Sequence, residues 1–281
     1  MRPLSLLAGL ALMAACIVES PPAARAAPGA AFPAKGDLAT AIKRTLNFRG
    51  APRTYLVQPV AGPGPFPLVI VLHGATITAE RTWRQTSLPT LGAAQKFIVV
   101  APQGMDNRWN EDSGPGPEND VDFLRAVMRE EIAKDHADPK AVFMVGMSNG
   151  GFMTIHFVCV GGGADLRAAG VVSATLAEDE VADCNPKKAL PWIEMHGDAD
   201  MIVPFNAGEG LLSAPQTFAV FADKAGCAGG KLTSTFYVLH GAGHSWPNSQ
   251  SGPPGPRGAV NQDIDGGTVV WDHFRATLGQ R

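Results

Sequence analysis

Short apolar runs alternate with helical patterns along most of the chain. Seven runs predict β-strands, and Leu68-Val69-Ile70-Val71-Leu72 is apolar at every position. A strand with one exposed face alternates apolar and polar residues, so a run without alternation indicates burial on both faces, as in a parallel sheet covered by helices. The predicted strands are residues 54–60, 67–72, 97–101, 141–145, 169–173, 191–195 and 233–239.

Helical patterns fill the segments between several of these strands. In residues 120–135 the apolar side chains recur on one helical face, and Asp120 is the expected N-cap. Asp138-Pro139 is expected to break the chain before the next strand. Residues 152–160, 215–225 and 264–277 also predict helices. Strands that alternate with helices predict an α/β architecture. The chain shows no internal repeat and no shift of composition, so we expect a single domain with a mostly parallel sheet and helices on both faces.

Composition and charge exclude several kinds of partner. The 281 residues are 45% hydrophobic and 17% charged, which is enough apolar material for a sizeable core. The formal net charge of −3 shows no basic excess. Nucleic acid and anionic membrane surfaces are therefore not expected partners.

The first residues have the pattern of an export signal. Arg2 precedes an apolar run, and Ala24-Arg25-Ala26 supplies a small-x-small cleavage site. The run is shorter than the ~20 apolar residues that span a membrane. We predict a signal peptide over residues 1–26, a flexible tract over 27–36 and one folded domain over 37–281. The protein would be secreted or periplasmic, without stable membrane insertion. The alternative is a lipoprotein anchored at Cys16, for which Met13 is a poor match.

Export implies an oxidising compartment, in which disulfides persist. After removal of the signal, the chain keeps Cys159, Cys184 and Cys227, so at most one internal bridge can form. We expect Cys159 to pair with Cys184, because both follow elements that lead away from the glycine-rich motif described next.

That motif is Gly146-Met147-Ser148-Asn149-Gly150-Gly151, between a predicted strand and a predicted helix. A G-x-S-x-G pattern alone is weak, but the order strand, turn, helix is what a nucleophile elbow requires. The sharp turn needs neighbours without side chains, which Gly146 and Gly150 supply. Ser148 would then project above the sheet at a helix N-terminus, whose dipole favours negative charge. The alternative is an ordinary glycine-rich turn.

A serine hydroxyl needs a base to take its proton, and the base needs an acid to orient it. In a fold with this elbow, the acid and then the histidine follow the serine in the chain. His244 is the predicted base, because it lies in a loop past the last predicted strand. His240 lies nearer the strand end, and His273 lies in a helical pattern. His240 and His244 also have an H-x3-H spacing, but no helix aligns them and no cysteine is near, so we predict no metal site.

Two aspartates follow the strand over residues 191–195. Asp198 lies in the immediate turn, where Asp commonly bonds the local backbone. Asp200 lies further along the loop and is better placed to reach a histidine loop on the next strand. Asp200 is therefore the predicted acid, with Asp198 as the alternative.

Backbone N–H groups must stabilise the oxyanion of a tetrahedral intermediate. We predict the N–H of Asn149 and a second N–H from the loop after the early strand, at Ala75 or alternatively Thr76. His73 is expected to brace that loop.

Two tryptophans are candidates for the substrate site. Trp109 lies in a long connection at the carboxyl end of a strand, where α/β enzymes bind ligands. Trp246 lies two residues beyond the predicted base. Either could supply an apolar wall for an acyl group. The alternative for each is a partly buried structural aromatic.

These segments together resemble the secreted polyhydroxybutyrate depolymerase-like esterases, a family that includes feruloyl and acetylxylan esterases. The resemblance runs from near residue 40 to the C-terminus. The matching segments are Leu72-His73-Gly74, Asp120-Val121-Asp122-Phe123-Leu124, Gly146-Met147-Ser148-Asn149-Gly150-Gly151, His196-Gly197-x-x-Asp200 with Val203-Pro204, Gly243-His244-Ser245-Trp246-Pro247 and Asp263-Ile264-Asp265.

The resemblance implies an α/β-hydrolase fold, a Ser148–Asp200–His244 triad and no cofactor. It implies ester substrates: hydroxyalkanoate polyesters or oligomers first, and feruloyl or acetyl esters of plant cell-wall polysaccharide as the alternative. A catalytically silent binding protein on the same fold is a remote alternative. The chain departs from the family at Ala75, where members often have Cys, and at Phe205, where many have Tyr. Cys227 resembles a family cysteine whose usual downstream partner is missing.

Overall fold

The computed structural model describes residues 31–110, 114–225, 234–249 and 257–279. The predicted signal peptide, the candidate anchor Cys16 and the third mature cysteine, Cys227, lie outside these ranges.

A mixed sheet of eight strands forms the centre of the described residues, with the spatial order β1-β2-β4-β3-β5-β6-β7-β8. Strands β3 to β8 pair in parallel with one another, whereas at one edge β2 pairs antiparallel with both β1 and β4. The strands are β1 Ile42–Phe48, β2 Ala51–Gln58, β3 Phe66–Leu72, β4 Ile98–Pro102, β5 Ala137–Met147, β6 Ala168–Val172, β7 Trp192–Gly197 and β8 Thr235–Leu239.

Helices cover both faces of this sheet, as parallel connections require. Helices α3, α4 and α5 contribute to the core on one face, and α1, α2 and α6 to the core on the other. The helices are α1 Ala79–Gln85, α2 Leu88–Gln95, α3 Asp120–Lys134, α4 Asn149–Cys159, α5 Ala214–Lys224 and α6 Gly266–Leu278. The predicted α/β architecture with a mostly parallel sheet and a single domain is confirmed.

Strand β3 shows why the unbroken apolar runs indicated a doubly covered sheet. Leu68, Ile70 and Leu72 belong to the core on one face, and Val69 and Val71 to the core on the other. All five side chains have no exposed surface. Each face of the strand is therefore sealed by a different set of helices, and neither face needs polar residues.

Three features of the fold differ from the sequence prediction. Strand β1 was not predicted, because it is an edge strand that buries only Phe48 and so carries little apolar signal. Helices α1 and α2 were also missed. Asp138-Pro139 was expected to precede β5, but the strand begins at Ala137 and runs through both residues. Its pairing with β3 is irregular there, between the pairs Phe66–Ala137 and Leu68–Val142.

The predicted cap of helix α3 is wrong by one residue. Asn119 is the N-cap, and its side chain accepts a hydrogen bond from the N–H of Asp122. Asp120 instead turns into the protein and pairs with Arg53, with both side chains almost fully buried. An inward ion pair outweighs the local capping preference, because an unpaired buried Arg53 would be far more costly.

Candidate active site

Ser148 lies at the tight turn between β5 and α4. Its backbone has φ 54° and ψ −125°, a conformation that side chains rarely adopt. The turn is packed too closely for side chains on its neighbours. A Cβ on Gly146 would lie 1.9 Å from the carbonyl oxygen of Gly150, and one on Gly150 would lie 2.5 Å from the oxygens of Leu72 and His73. Because Gly146 and Gly150 have no Cβ, the chain can make the tight turn that holds Ser148 in this conformation, as the elbow pattern predicted.

Asp200 and His244 form a buried pair in the loops after β7 and β8. The Nδ1–H of His244 donates to Oδ2 of Asp200 at 2.8 Å, and both residues are 4% exposed. Oδ1 of Asp200 accepts the N–H groups of Ile202 and Val203, each at 2.9 Å. Burial works against the charged carboxylate, but the hydrogen bonds from His244 and the two N–H groups outweigh it and hold the pKa of Asp200 below its ordinary value. An ionised Asp200 keeps the proton of His244 on Nδ1, so that Nε2 is available as a base.

Three sequence-distant loops meet at one edge of the sheet. Ser148, Asp200 and His244 each follow the carboxyl end of a parallel strand, namely β5, β7 and β8. A small cavity at this edge is lined by Gly74, Ile77, Thr82, Gln85, Met147 and Trp246. It brings together the loop after β3, the residue before Ser148 and the residue two positions beyond His244.

The alternative acid and base form a separate pair. Nδ1 of His240 lies 2.8 Å from Oδ2 of Asp198, and Oδ1 of Asp198 accepts the N–H of Gly241 at 2.7 Å. The His240 side chain is 84% exposed, compared with 5% for His244. The two histidines of the H-x3-H pattern therefore bond different aspartates, His240 with Asp198 and His244 with Asp200. Within the described ranges, no group of three His, Cys, Asp or Glu residues is arranged to hold a metal ion.

His273 has a structural setting in α6. Its Nδ1 lies 3.4 Å from Oγ1 of Thr235, and its Nε2 is buried without a partner among the described residues. Burial lowers the pKa of His273 to about 4, so that the ring is neutral near pH 7.

The two predicted oxyanion donors lie in different surroundings. Asn149 is the first residue of α4, where backbone N–H groups have no partner within the helix. In the loop after β3, the N–H of Thr76 donates to the carbonyl oxygen of Asn107 at 2.8 Å. Thr76 is therefore committed to a structural bond, which favours Ala75 over Thr76 as the second donor.

His73 connects the loop after β3 to the loop after β4. Its Nδ1–H donates to the carbonyl oxygen of Gly74 at 2.8 Å, and its Nε2 accepts the N–H of Gly104 at 2.9 Å. Burial lowers the pKa of His73, which suits a neutral ring with one donor and one acceptor. These contacts give His73 the bracing role expected of it.

Trp109 does not have the surroundings expected of a substrate-binding residue. It is 6% exposed, and its indole N–H donates to the carbonyl oxygen of His73 at 2.8 Å. Its ring also packs against the His73 ring with centroids 4.8 Å apart. These contacts favour the alternative of a buried structural aromatic over an acyl wall, and the substrate-binding role of Trp109 stays a prediction. Trp246 is 3% exposed but does line the small cavity beside the elbow.

The expected cysteine pair is bonded in the structure. Cys159 ends α4, and its sulfur lies 2.02 Å from that of Cys184 across a sequence separation of 25 residues. The bridge lies at the end of α4 remote from Ser148, so it stabilises the helix that begins at the elbow.

Sequence reasoning missed two supporting contacts of this site. His196, at the end of β7, has no exposed surface, and its Nε2–H donates to the carbonyl oxygen of Val203, whose N–H binds Asp200. Arg53 and Asp120 form the buried pair described above. In each case the signal was a polar residue inside or beside an apolar run, which indicates a paired buried group.

The chain resembles several esterases in sequence. No family model matches it. It is 30% identical over 186 residues to "Putative esterase NocK" of Nocardia uniformis subsp. tsuyamanensis, covering 63% of this chain and 53% of that protein. It is 30% identical over 180 residues to "Feruloyl esterase B" of Piromyces equi, covering 58% and 33% respectively. It is 31% identical over 107 residues to "Poly(3-hydroxyalkanoate) depolymerase C" of Paucimonas lemoignei, covering 34% and 25%.

These names confirm the resemblance predicted from the motifs. The chain spans about half of the first relative's length and about a third of the second's.

Solved structures agree on the fold. A thermostable esterase superposes with a TM-score of 0.58 at 18% identity, covering 86% of this chain and 64% of that one. An acetyl xylan esterase from Aspergillus awamori gives 0.53 at 15% identity, covering 73% and 94%. With the sheet and helices described above, these likenesses assign the α/β-hydrolase fold.

Proposed function

We propose that this α/β-hydrolase chain, a relative of esterases, feruloyl esterases and a poly(3-hydroxyalkanoate) depolymerase, hydrolyses carboxylic esters through an acyl-enzyme on Ser148. One observation carries the proposal. A serine in strained backbone geometry begins a helix at the same sheet edge at which a buried Asp200 carboxylate holds the Nδ1–H of His244. This is the arrangement that activates a serine nucleophile, and the alternative of a silent binding protein has no use for it.

The reaction proceeds in two steps. His244 Nε2 takes the proton of Ser148 as its oxygen attacks the ester carbonyl, and the N–H groups of Asn149 and Ala75 hold the resulting oxyanion. His244 then gives the proton to the leaving alcohol, and an acyl-serine remains. In the second step His244 takes a proton from water, the resulting hydroxide attacks the acyl-serine, and the carboxylic acid leaves as Ser148 regains its proton. Apart from the ester and the water, the groups in these steps come from Ser148, His244 and the N–H groups of Asn149 and Ala75.

Ser148→Ala tests the nucleophile. We expect the variant to lose hydrolysis of p-nitrophenyl acetate and covalent labelling by a fluorophosphonate probe, while its circular dichroism stays that of the wild type. Ser173→Ala is a matched control, because Ser173 also has a positive φ (52°) after a neighbouring strand, β6, and is buried. That variant should keep both labelling and turnover. Near wild-type turnover by Ser148→Ala would refute the assignment.

The substrate proposed first is a hydroxyalkanoate polyester or its oligomers. The motif resemblance and the depolymerase relative support it. Feruloyl or acetyl esters of plant polysaccharide are the second candidate, supported by the relatives named feruloyl esterase. Initial rates on hydroxybutyrate oligomers, methyl ferulate and acetylated xylan, measured side by side at equal enzyme concentration, decide between them. A kcat/KM at least tenfold higher on either ferulate or acetylated xylan than on the oligomers would reject the first choice.

We also propose that the protein is exported. The charged start, apolar run and cleavage pattern of residues 1–26 support this, and so does the Cys159–Cys184 bridge, since disulfides persist in oxidising compartments. No helix in the described part of the chain is long and apolar enough to cross a bilayer. N-terminal sequencing of protein from the periplasm or medium should begin at Ala27. A lipid-modified N-terminal Cys16 would instead establish the anchored alternative.

A further inference from the structure

The two proposed oxyanion donors come from loops that are distant in the chain. Ala75 follows β3, and Asn149 follows β5. An oxyanion hole works only if its donors lie about 2.7–3.1 Å from the place where the oxyanion forms, so both loops must keep a fixed spacing. A third segment, residues 103–110 after β4, contacts both loops. We call this segment the β4 loop.

Trp109 in the β4 loop bonds both sides of the proposed hole. Its backbone N–H donates to the side-chain Oδ1 of Asn149 at 2.8 Å, and its indole N–H donates to the carbonyl oxygen of His73 at 2.8 Å. Further along the loop, the Asn107 carbonyl accepts the N–H of Thr76 at 2.8 Å. One residue thus connects the first residue of α4 to the loop that carries Ala75.

The β4 loop is itself held by a buried ion pair. Asp120 accepts the N–H of Asn110 at 2.7 Å through one carboxylate oxygen and the guanidinium of Arg53 at 2.5 Å through the other. Arg53 also donates to the carbonyl oxygens of Pro117 at 2.7 Å and Gln103 at 3.2 Å. Arg53 and Asp120 are 3% and 1% exposed. Surface connections are ordinarily mobile, but these bonds fix this one at both ends.

We propose that Trp109 and Asp120 are positioning residues that set the spacing of the two oxyanion donors. Trp109 touches both donor loops, and Asp120 holds Trp109 in place through Asn110. The proposal rests on the serine-esterase function proposed above and adds to it the residues that keep the hole assembled.

This role predicts a particular kinetic signature. A misplaced donor weakens binding of the transition state but not of the ground state, so kcat falls and KM changes little. The loss should be the same for short and bulky acyl groups, because the oxyanion is common to all esters. A tryptophan that formed an acyl wall would give the opposite pattern, with losses that grow with acyl size.

Trp109→Phe is the sharpest test, since it keeps an aromatic ring and the backbone N–H but removes the indole N–H. We expect kcat on p-nitrophenyl acetate to fall between about 10- and 100-fold, with KM within about twofold of wild type. The same ratio should be found on p-nitrophenyl butyrate and on methyl ferulate. A kcat within twofold of wild type, or a loss that grows with acyl size, would overturn the proposal.

Asp120→Asn tests the second residue, with Asp122→Asn as its matched control. Asp122 lies two positions along the same helix, and its carboxylate pairs with Arg49 near the surface. We expect a loss of kcat in Asp120→Asn and wild-type kinetics in Asp122→Asn. Equal losses in both variants would overturn the role of Asp120. If Asp120→Asn does not fold, the ratio of wild-type kcat to Trp109→Phe kcat tests the proposal, because Trp109→Phe leaves the Arg53–Asp120 ion pair intact.

Wild type and Ser148→Ala, assayed beside these variants, separate the failure of the positioning role from the failure of the proposed esterase function. Ester hydrolysis that disappears in Ser148→Ala but stays unchanged in Trp109→Phe overturns the positioning role alone. A wild-type protein that neither hydrolyses these esters nor reacts with fluorophosphonate overturns the proposed function and the positioning role together.

Discussion

Replacing Asp200 by Asn changes one atom of the proposed acid and leaves its size unchanged. Oδ1 of Asp200 accepts two backbone N–H groups, from Ile202 and Val203, each at 2.9 Å. Those donors require an oxygen at that position, so the new amide must place its NH₂ where Oδ2 now lies. The NH₂ then faces Nδ1 of His244 at the position of the present 2.8 Å bond.

An NH₂ at this position reverses the hydrogen bond. Nδ1 of His244 must accept instead of donate, and the single proton of the neutral ring moves to Nε2. A protonated Nε2 cannot take the proton of Ser148. Acid-to-amide changes in Ser–His–Asp triads lower kcat about 10⁴-fold through this wrong tautomer. At about 1.4 kcal/mol for each tenfold change in rate, we expect the barrier to rise by about 5.5 kcal/mol.

The assay is steady-state hydrolysis of p-nitrophenyl acetate, with thermal unfolding to check the fold. We expect Asp200→Asn to fold like the wild type, because both N–H bonds to Oδ1 remain. Asp198→Asn is the control, since Asp198 bonds the exposed His240 and should be dispensable for turnover. Retention of more than a tenth of kcat by Asp200→Asn would refute the tautomer argument. A large loss in Asp198→Asn instead would move the acid to that residue.

Three further predictions follow from the described contacts. Gly150→Ala should lower kcat on p-nitrophenyl acetate at least 100-fold and lower the free energy of unfolding in urea, because the new Cβ would lie 2.5 Å from two carbonyl oxygens. Gly279→Ala is the control, since its new Cβ would meet no atom within 4 Å, and it should change neither quantity. Reducing Cys159–Cys184, which spans 25 residues, should lower the free energy of unfolding in urea by about 3.5 kcal/mol, and a Cys159→Ser/Cys184→Ser double variant should not respond to dithiothreitol. The folded-state pKa of His273, lowered to about 4 by burial, should make the protein less stable at pH 5 than at pH 7.5.

The sign of the pH effect follows from proton uptake. Between pH 6.5 and 4 the unfolded state protonates His273 and the folded state does not, so stability is intact above pH 6.5 and falls as the pH drops. At pH 5 the loss from this residue is about 2 kcal/mol. Urea unfolding at both pH values measures it, and His273→Phe should lessen the difference. An equal difference in that variant would exclude His273 as a source.

Local pattern predicted most of the central sheet. The run over 68–72 indicated a doubly buried strand because every position is apolar, and Ser148 was placed at a turn because glycines flank it between a strand and a helix. Strand β1 was not predicted, because an edge strand with exposed residues has no apolar pattern. Helices α1 and α2 lie in a stretch where several small and polar residues blur the helical period.

The sequence by itself determined strands β2 to β8, helices α3 to α6 and the three loops that carry Ser148, Asp200 and His244, because periodicity and turn chemistry are local properties of the chain. Only the tertiary structure decided which histidine pairs with which aspartate, that Asp120 bonds Arg53 instead of capping its helix, and that Trp109 bonds both Asn149 and His73. Those outcomes depend on atoms dozens of residues apart in the chain coming within about 3 Å, the range of a hydrogen bond. No local pattern records such a distance, whereas the packing of loops on a shared sheet edge sets it.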